Sequence, residues 1–416
     1  MEQSRALKIL KSGQSVFLTG SAGTGKTFLL NKFINYLKNK NIGVGITAST
    51  GIASTHIGGI TIHSWSGIGV SKNINDPHIK RFLRHKSPKW EEIKKTKVLI
   101  VDEISMLDAQ RLDLVDRVCK IIKAPFLPFG GIQVVVCGDF FQLPPVDDGT
   151  DEKPKLAYKS FAWRKAKFKV CYLENQHRQN DKKFINILND IRSNKADENT
   201  LKMLSARLYK NVNGIEKITK LYSHNEDVDK INEFELSKIN GQEIEYAMYC
   251  SGVPELIRFL KKNCLAPEIL KLKVGAIVMF IKNNFKEGYV NGTLGTVIGF
   301  DKWNWPVIKT SDGKIITVLR ARWEIEKDER VIASIWQIPL RLAWAITIHK
   351  SQGMSLDAAE INLSRSFEYG MGYVALSRVR RLNGIRLVGI NENALKVNKD
   401  IVKKDKEFIK LSKENE

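Results

Sequence analysis

Between residues 14 and 146 short apolar runs alternate with stretches of helical spacing. Val16 to Thr19, Gly43 to Thr47, Val98 to Val101 and Ile132 to Cys137 are each bounded by Gly, Asp or polar residues, the pattern of strands buried in a sheet. Such alternation predicts a parallel sheet with helices on both faces. From about 181 to 272 the spacing is near 3.6 in FINILNDIRSN, ENTLKMLSARLY and DVDKINEFELSKI, so this stretch is expected to be mostly helical. Residues 274–341 change character: AIVMFI, LGTVIGF, KIITVL and VIASIWQI are short β-type runs separated by Gly, Asn, Asp and Pro, and they predict a small antiparallel barrel inserted between two α/β pieces. After 342 the α/β pattern returns. The last twenty residues, with six Lys and five acids, read as a frayed terminal helix.

Composition narrows the class. A chain of 416 residues with 27% charged and 43% apolar residues has enough material for several domains and is neither a disulfide-stapled miniprotein nor a disordered chain. No apolar run approaches the roughly 20 residues of a spanning helix, and the N-terminal MEQSRALKIL lacks the charged and apolar regions of a secretory leader. A soluble protein of the cytoplasm or nucleoid is expected, nuclear or mitochondrial if the source is eukaryotic. Cys119, Cys137, Cys171, Cys250 and Cys264 are odd in number and include no C-x-x-C, which argues against a disulfide framework and a zinc site. A net charge of +22, from 67 basic and 45 acidic residues, points to a polyanionic partner. Lys72 to Lys97 carries nine Lys/Arg against three acids, and Lys153 to Lys169 carries seven and no acid.

The chemistry is most legible near the N-terminus. Gly20-Ser21-Ala22-Gly23-Thr24-Gly25-Lys26-Thr27 follows the strand VFLT and precedes the helix FLLNKFINYLK, which is a P-loop in its required setting. Its glycines let backbone N–H groups close around phosphate oxygens, Lys26 reaches the β and γ phosphates of ATP, and the Thr27 hydroxyl is a candidate magnesium ligand. The strand of Lys97 to Glu103 then ends in two carboxylates. Asp102 suits Mg²⁺, directly or through water, and Glu103 suits the polarisation of an attacking water as general base. A third strand leads into Gly138-Asp139-Phe140-Phe141-Gln142-Leu143-Pro144-Pro145, where Gln142, at a strand's carboxyl end, is placed to sense the γ-phosphate.

Taken in order, GSAGTGKT, STGIAS, TIHSW, VDEISML, PFGGIQ, GDFFQLPPV, NQHRQ, AWAITIHKSQG and YVALSRVR resemble the PIF (Pif-one) group of superfamily-one DNA helicases, with RecD-like helicases as relatives. The resemblance runs from Gln3 to about Arg381, and the stretch from VDEISML to GDFFQLPPV carries most of its specificity. It implies an α/β fold of two RecA-like P-loop lobes, each a doubly wound parallel sheet, with a small wedge insertion and a small SH3-like β-barrel insertion. On this chain the lobes would be 1–65 with 98–180 and 181–273 with 342–416, the basic wedge 66–97 and the barrel 274–341.

The same resemblance implies roles residue by residue. Gln3 matches a glutamine that reads the adenine, Arg178 and Arg378 match arginines that reach ATP, and Gln352 and Gly353 match the segment between nucleotide and DNA. Thr50, Gly51, His63, His224, Asn225, His349 and Lys350 match the strand track. The implied function is an ATP-dependent DNA helicase that moves 5′ to 3′ on single-stranded DNA and unwinds duplex, with forked and G-quadruplex DNA as open alternatives, in replication, repair, recombination or telomere maintenance. Its partners are single strands and their junctions with duplex, with no membrane, and it works as a monomer for which dimerisation on DNA stays open. Two other readings compete. A DNA-stimulated P-loop ATPase could remodel a protein partner without translocating, and a passive binder could coat single strands, although the latter needs neither Mg²⁺ nor a general base.

Overall fold

The structure, a computed structural model, describes residues 1–415 except 70, 85–87, 147–153, 180, 213–217, 265, 283, 285, 290, 311, 312, 328 and 329. Parts of both basic stretches, of the expected wedge and of the expected barrel thus lie outside the described residues. The chain forms two compact units: Met1–Glu216 with Ser351–Glu416, and Lys217–Lys350. No helix among the described residues is long and apolar enough to cross a membrane. All five cysteines are free thiols.

In the first unit, β1 (Val16–Gly20), β2 (Val44–Ala48), β3 (Ile60–Thr61), β4 (Val98–Asp102), β5 (Gln133–Cys137) and β6 (Lys169–Leu173) form one sheet in the order β3-β2-β4-β5-β1-β6. Every pairing in it is parallel. All residues of β1 and β4 are buried, which is why both read in sequence as compact apolar runs rather than alternating ones. Helix α1 (Gln3–Lys11) buries Ala6 and Leu10, and α2 (Lys26–Asn39) buries Leu29, Leu30, Phe33, Ile34 and Leu37 in one stripe. These join Val16, Leu18, Ile100 and Val135 in a single core. Because β4, β5 and β1 are neighbours and point the same way, their carboxyl ends bring three separate sequence segments to one crevice.

Phe17 alternates to the opposite side of β1, where its ring centroid lies 4.9 Å from that of Trp163 and 5.0 Å from that of Phe408. Phe408 belongs to the helix Lys399–Lys413, so the charged C-terminal stretch is not frayed. It carries a buried Ile401 and Phe408 seven residues apart, and its Ser412 Oγ accepts the Tyr172 amide at 3.0 Å. The lysines between them hide that stripe in a composition count. Within 66–97, helices Pro77–Arg84 and Pro88–Lys95 each bury one residue, Ile79 and Ile93. The strands Ala359–Leu363 and Ile385–Ile390 pair in parallel, and between them the helix Met371–Ser377 is buried at every residue.

The second unit is mainly antiparallel. Five strands run in the order Ile315–Thr317, Pro306–Thr310, Leu294–Phe300, Ile277–Phe280 and Leu340–Leu342, enclosing Val278, Phe280, Val297, Ile308, Ile316 and Leu340. A further three-stranded sheet joins Ala321–Lys327, Arg330–Gln337 and Tyr249–Gly252, and Ile244–Ala247 pairs with Ile269–Leu272. The mostly helical expectation for 181–272 therefore holds for Lys182–Arg192, Glu198–Ser205, Asn225–Ser237 and Pro254–Asn263 and fails for Thr219–Tyr222, Ile244–Ala247, Tyr249–Gly252 and Ile269–Leu272. Tyr249–Gly252 is exposed at every residue and lies on a sheet edge, so it shows no apolar run. Its pairing partner is some eighty positions along the chain, in register Trp336 with Tyr249. Thr219–Tyr222 and Ala345–Thr347 form a parallel pair, with the buried Asn232 accepting the Ala345 amide at 2.9 Å and donating to its carbonyl at 3.1 Å.

Phe408→Ala should lower unfolding free energy by about 3–5 kcal/mol, as for a large aromatic removed from a packed core. Chemical denaturation measures it. A loss near zero would mean the terminal helix does not close the sheet.

Candidate active site

The P-loop leaves β1 and enters α2 through Gly23 (φ +91°) and Gly25 (φ +80°), a backbone that side chains rarely adopt. Space is short as well: a Cβ on Gly25 would stand 2.3 Å from Gln3 Nε2 and one on Gly23 2.7 Å from Gln176 Oε1. Lys26 Nζ donates to Gly20 O at 2.8 Å and to Ser21 O at 3.0 Å, which holds the ammonium over the loop. Gln3 Nε2 donates to Thr24 O at 3.2 Å, so the first helix touches the loop directly. From the segment after β6, the His177 amide donates to Gly23 O at 2.9 Å, and Gln176 Nε2 donates to Ser21 Oγ and Ala22 O, each at 2.9 Å. Ala22 N–H donates to the Tyr373 hydroxyl at 2.9 Å, and that hydroxyl donates to Asp139 Oδ2 at 3.2 Å.

Asp102 ends β4 fully packed, its Oδ1 accepting the Glu103 amide at 2.8 Å. Burial, and then the adjacent Glu103 carboxylate, push its pKa upward. Glu103 is left-handed, with φ +51° and ψ +47°, and its Oε2 accepts Gln352 Nε2 at 2.9 Å. Gln142 and Gln352 are both buried, and each has an Oε1 with no partner among the described residues.

Arg178 Nη1 donates to Ser377 O at 3.0 Å. Arg378, only 2% exposed, donates through Nε to Val374 O at 3.0 Å and through Nη2 to Ser377 Oγ at 2.9 Å. It has no carboxylate ion pair among the described residues, and burial together with Arg178 pushes its pKa down to about 9.

Lys26, Thr27, Asp102, Glu103, Gln142, Arg178, Gly353 and Arg378 all line one cleft of about 490 Å³. Lys26, Arg178, Arg378, Arg380 and Arg381 set five cations there against the carboxylates of Asp102 and Glu103, an arrangement that favours a polyanion. No group of three or more His, Cys, Asp or Glu able to hold a metal occurs among the described residues. The donor set of Thr27 and Asp102 nevertheless suits magnesium, which commonly takes one or two protein oxygens and completes its shell from phosphate and water.

His56, His177, Gln176, Tyr373, Arg380 and Arg381 also belong to this region and were not singled out from sequence. Gln176 and His177 precede Arg178 within NQHRQ, Tyr373 and Arg380 begin and end YVALSRVR and Arg381 follows it, so motif membership or adjacency was the available signal. His56 had none. Burial lowers its pKa.

The strand-contact candidates fall in both units. In the first, Thr50 Oγ1 accepts the Ala53 amide at 3.2 Å and caps the helix Gly51–His56, while His63 sits in the helix Ile62–Trp65, where burial and then Arg111 push its pKa to about 4. In the second, His224 and Asn225 open the helix Asn225–Ser237, and His349 and Lys350 lie in the turn Ile348–Ser351. Burial and then Arg341 bring Lys350 down to about 8.

A model of the PIF1-like helicase family matches residues 2–202, and one of the 2B domain of DNA helicase Pif1 matches residues 255–300. The ATP-dependent DNA helicase Pif1 of Psychrobacter is 43% identical, over 96% of this chain and 69% of its own length. The chain spans less than two thirds of the length of the vertebrate relatives it matches. The crystal structure of Pif1 helicase from Candida albicans superposes with a TM-score of 0.90 at 36% identity, covering 97% of this chain and 98% of that one. Pif1 helicase from Bacteroides, in complex with ADP-AlF3 and single-stranded DNA, gives 0.83 at 31%, covering 99% and 97%. These neighbours confirm the α/β fold with RecA-like lobes.

A buried, unpaired guanidinium is held at an energetic cost. Arg378→Met should therefore raise unfolding free energy, by on the order of 1 kcal/mol. Thermal unfolding reads this, and a clear drop in Tm would mean that the arginine's hydrogen bonds outweigh its desolvation.

Proposed function

Because the chain belongs to the PIF1-like helicase family, we propose that it is an ATP-dependent DNA helicase that moves 5′ to 3′ along a single strand and unwinds the duplex ahead of it. The observation that carries this reading is the convergence of Lys26, Asp102, Glu103, Gln142, Arg178 and Arg378 on one cleft. The name of the Psychrobacter relative and the nucleotide and single strand bound by the Bacteroides one support it. In this reading the lobes are 1–65 with 98–180 and 181–273 with 342–416, the wedge is 66–97 and the barrel is 274–341. The protein acts on single strands and their junctions with duplex, in genome maintenance.

The P-loop amides and Lys26 hold the ATP phosphates, and Gln3 holds the adenine end. Thr27 and Asp102 would hold magnesium, which would supply positive charge to the phosphate oxygens. Glu103 takes the proton of the attacking water, and its bond to Gln352 fixes the carboxylate's direction. Arg178 and Arg378 stabilise charge on the transferring phosphoryl group, and Gln142 reports on the γ-phosphate. On the strand track, Thr50, Gly51, His63, His224, Asn225, His349 and Lys350 contact sugar and phosphate, which positions a strand without reading sequence.

Duplexes with a 5′ single-stranded tail should be unwound with ATP, whereas those with only a 3′ tail should stay intact. Glu103→Gln should bind ATP, fail to cleave it and unwind neither. Gel-resolved unwinding and phosphate release measure both, and preferential opening of the 3′-tailed substrate would sink the polarity while leaving the ATPase.

Lys350 attracts phosphate only while protonated, and its pKa is lowered to about 8 rather than 10.5. Affinity for single-stranded DNA should hold at pH 7 and fall as pH rises through 8 to 9. Lys350→Arg should flatten that fall. Fluorescence anisotropy on a labelled oligonucleotide tests it; an unchanged profile in the arginine variant would remove Lys350 from the strand track.

A further inference from the structure

Ser49, directly after β2, is bonded to the backbone of both residues of the carboxylate pair. Its amide donates to Asp102 O at 3.1 Å and its hydroxyl donates to Glu103 O at 2.7 Å. Of the Ser49 surface, 7% is exposed, so water does not compete freely for these bonds. The second bond matters most, because Glu103 is a non-glycine residue with φ +51°, a region that persists only where the surroundings impose it. With φ and ψ fixed, the Cα–Cβ direction of Glu103 is fixed too, and its carboxylate reaches Gln352 from there.

On its other side Ser49 is joined by one peptide bond to Thr50. The Thr50 hydroxyl caps the helix Gly51–His56, and His56, at that helix's far end, lines the same cleft as Glu103. A trans peptide transmits displacement with little loss, so a shift of Thr50 or Gly51 moves the Ser49 hydroxyl and with it the Glu103 carbonyl. We propose that Ser49 is a positioning residue through which a single strand held at Thr50 and Gly51 sets the direction of the Glu103 carboxylate, so that hydrolysis answers to DNA. The inference rests on the helicase reading above, and specifically on the strand-contact role of Thr50 and Gly51.

The test compares wild type, Ser49→Ala and Ser49→Thr for ATP hydrolysis with and without a mixed-sequence oligonucleotide, together with KM for ATP and oligonucleotide affinity. Ser49→Ala should lose on the order of tenfold in the DNA-stimulated kcat, the rate equivalent of one hydrogen bond. KM and oligonucleotide affinity should stay within about twofold, since no group that touches either ligand is removed. Ser49→Thr, which keeps the hydroxyl, should restore the stimulation. Full stimulation in Ser49→Ala, or equal loss in both variants, overturns the coupling while leaving the helicase reading. A wild-type ATPase indifferent to DNA overturns the helicase reading and this inference with it.

Discussion

Two carboxylates on consecutive residues, Asp102 and Glu103, are the constraint around which the first unit is arranged. Burial disfavours the charged form and the adjacent like charge adds repulsion, which is why the Asp102 acid is pushed upward. A chain that keeps both must supply cations from outside the strand, and β4's place beside β5 and near β1 makes that supply feasible. Lys26 arrives from the start of α2, while Arg178 and Arg378 come from far apart in sequence yet both bond to Ser377. The sheet order is thus an electrostatic matter as well as a packing one.

Glutamines mediate between these charges. Gln3 and Gln176 donate to P-loop carbonyls, and Gln352 donates to the Glu103 carboxylate. An amide is neutral, so it can hold a charged group in place without altering the net charge that a phosphate ligand meets. The left-handed turn at Glu103 adds backbone strain to the same point, and strain of this kind is kept where neighbours over-determine the conformation.

Sequence reading reached what is contiguous. The P-loop, the strand ending in Asp102 and Glu103, and Gln142 after β5 were legible because each motif carries its own strand and turn, and the parallel sheet followed from the runs that made them. Groups whose partners are remote were not legible: Tyr373 against Ala22, Gln176 against Ser21, and Arg192, whose guanidinium bridges Asp139 and Asp405 at 3.2 Å each. No local period announces such pairs. The strands Ile244–Ala247 and Tyr249–Gly252 escaped for the opposite reason: the first buries only Tyr246 and the second is exposed throughout, so neither presents an apolar run.

The first unit is discontinuous along the chain, and its closing elements come late. Tyr172 finds Ser412 across a separation of 240 residues, and Phe17 meets Phe408 only after all the segments between them have been made. At ordinary translation speeds the edge strand would wait roughly 10–50 s on the ribosome for its covering helix. During that interval Phe17, Phe140 and Trp163 lack one aromatic partner, so the nascent sheet displays a sticky face. The sheet that begins at the P-loop strand is therefore completed only by a helix translated long after it, and the apolar face between them is open until then.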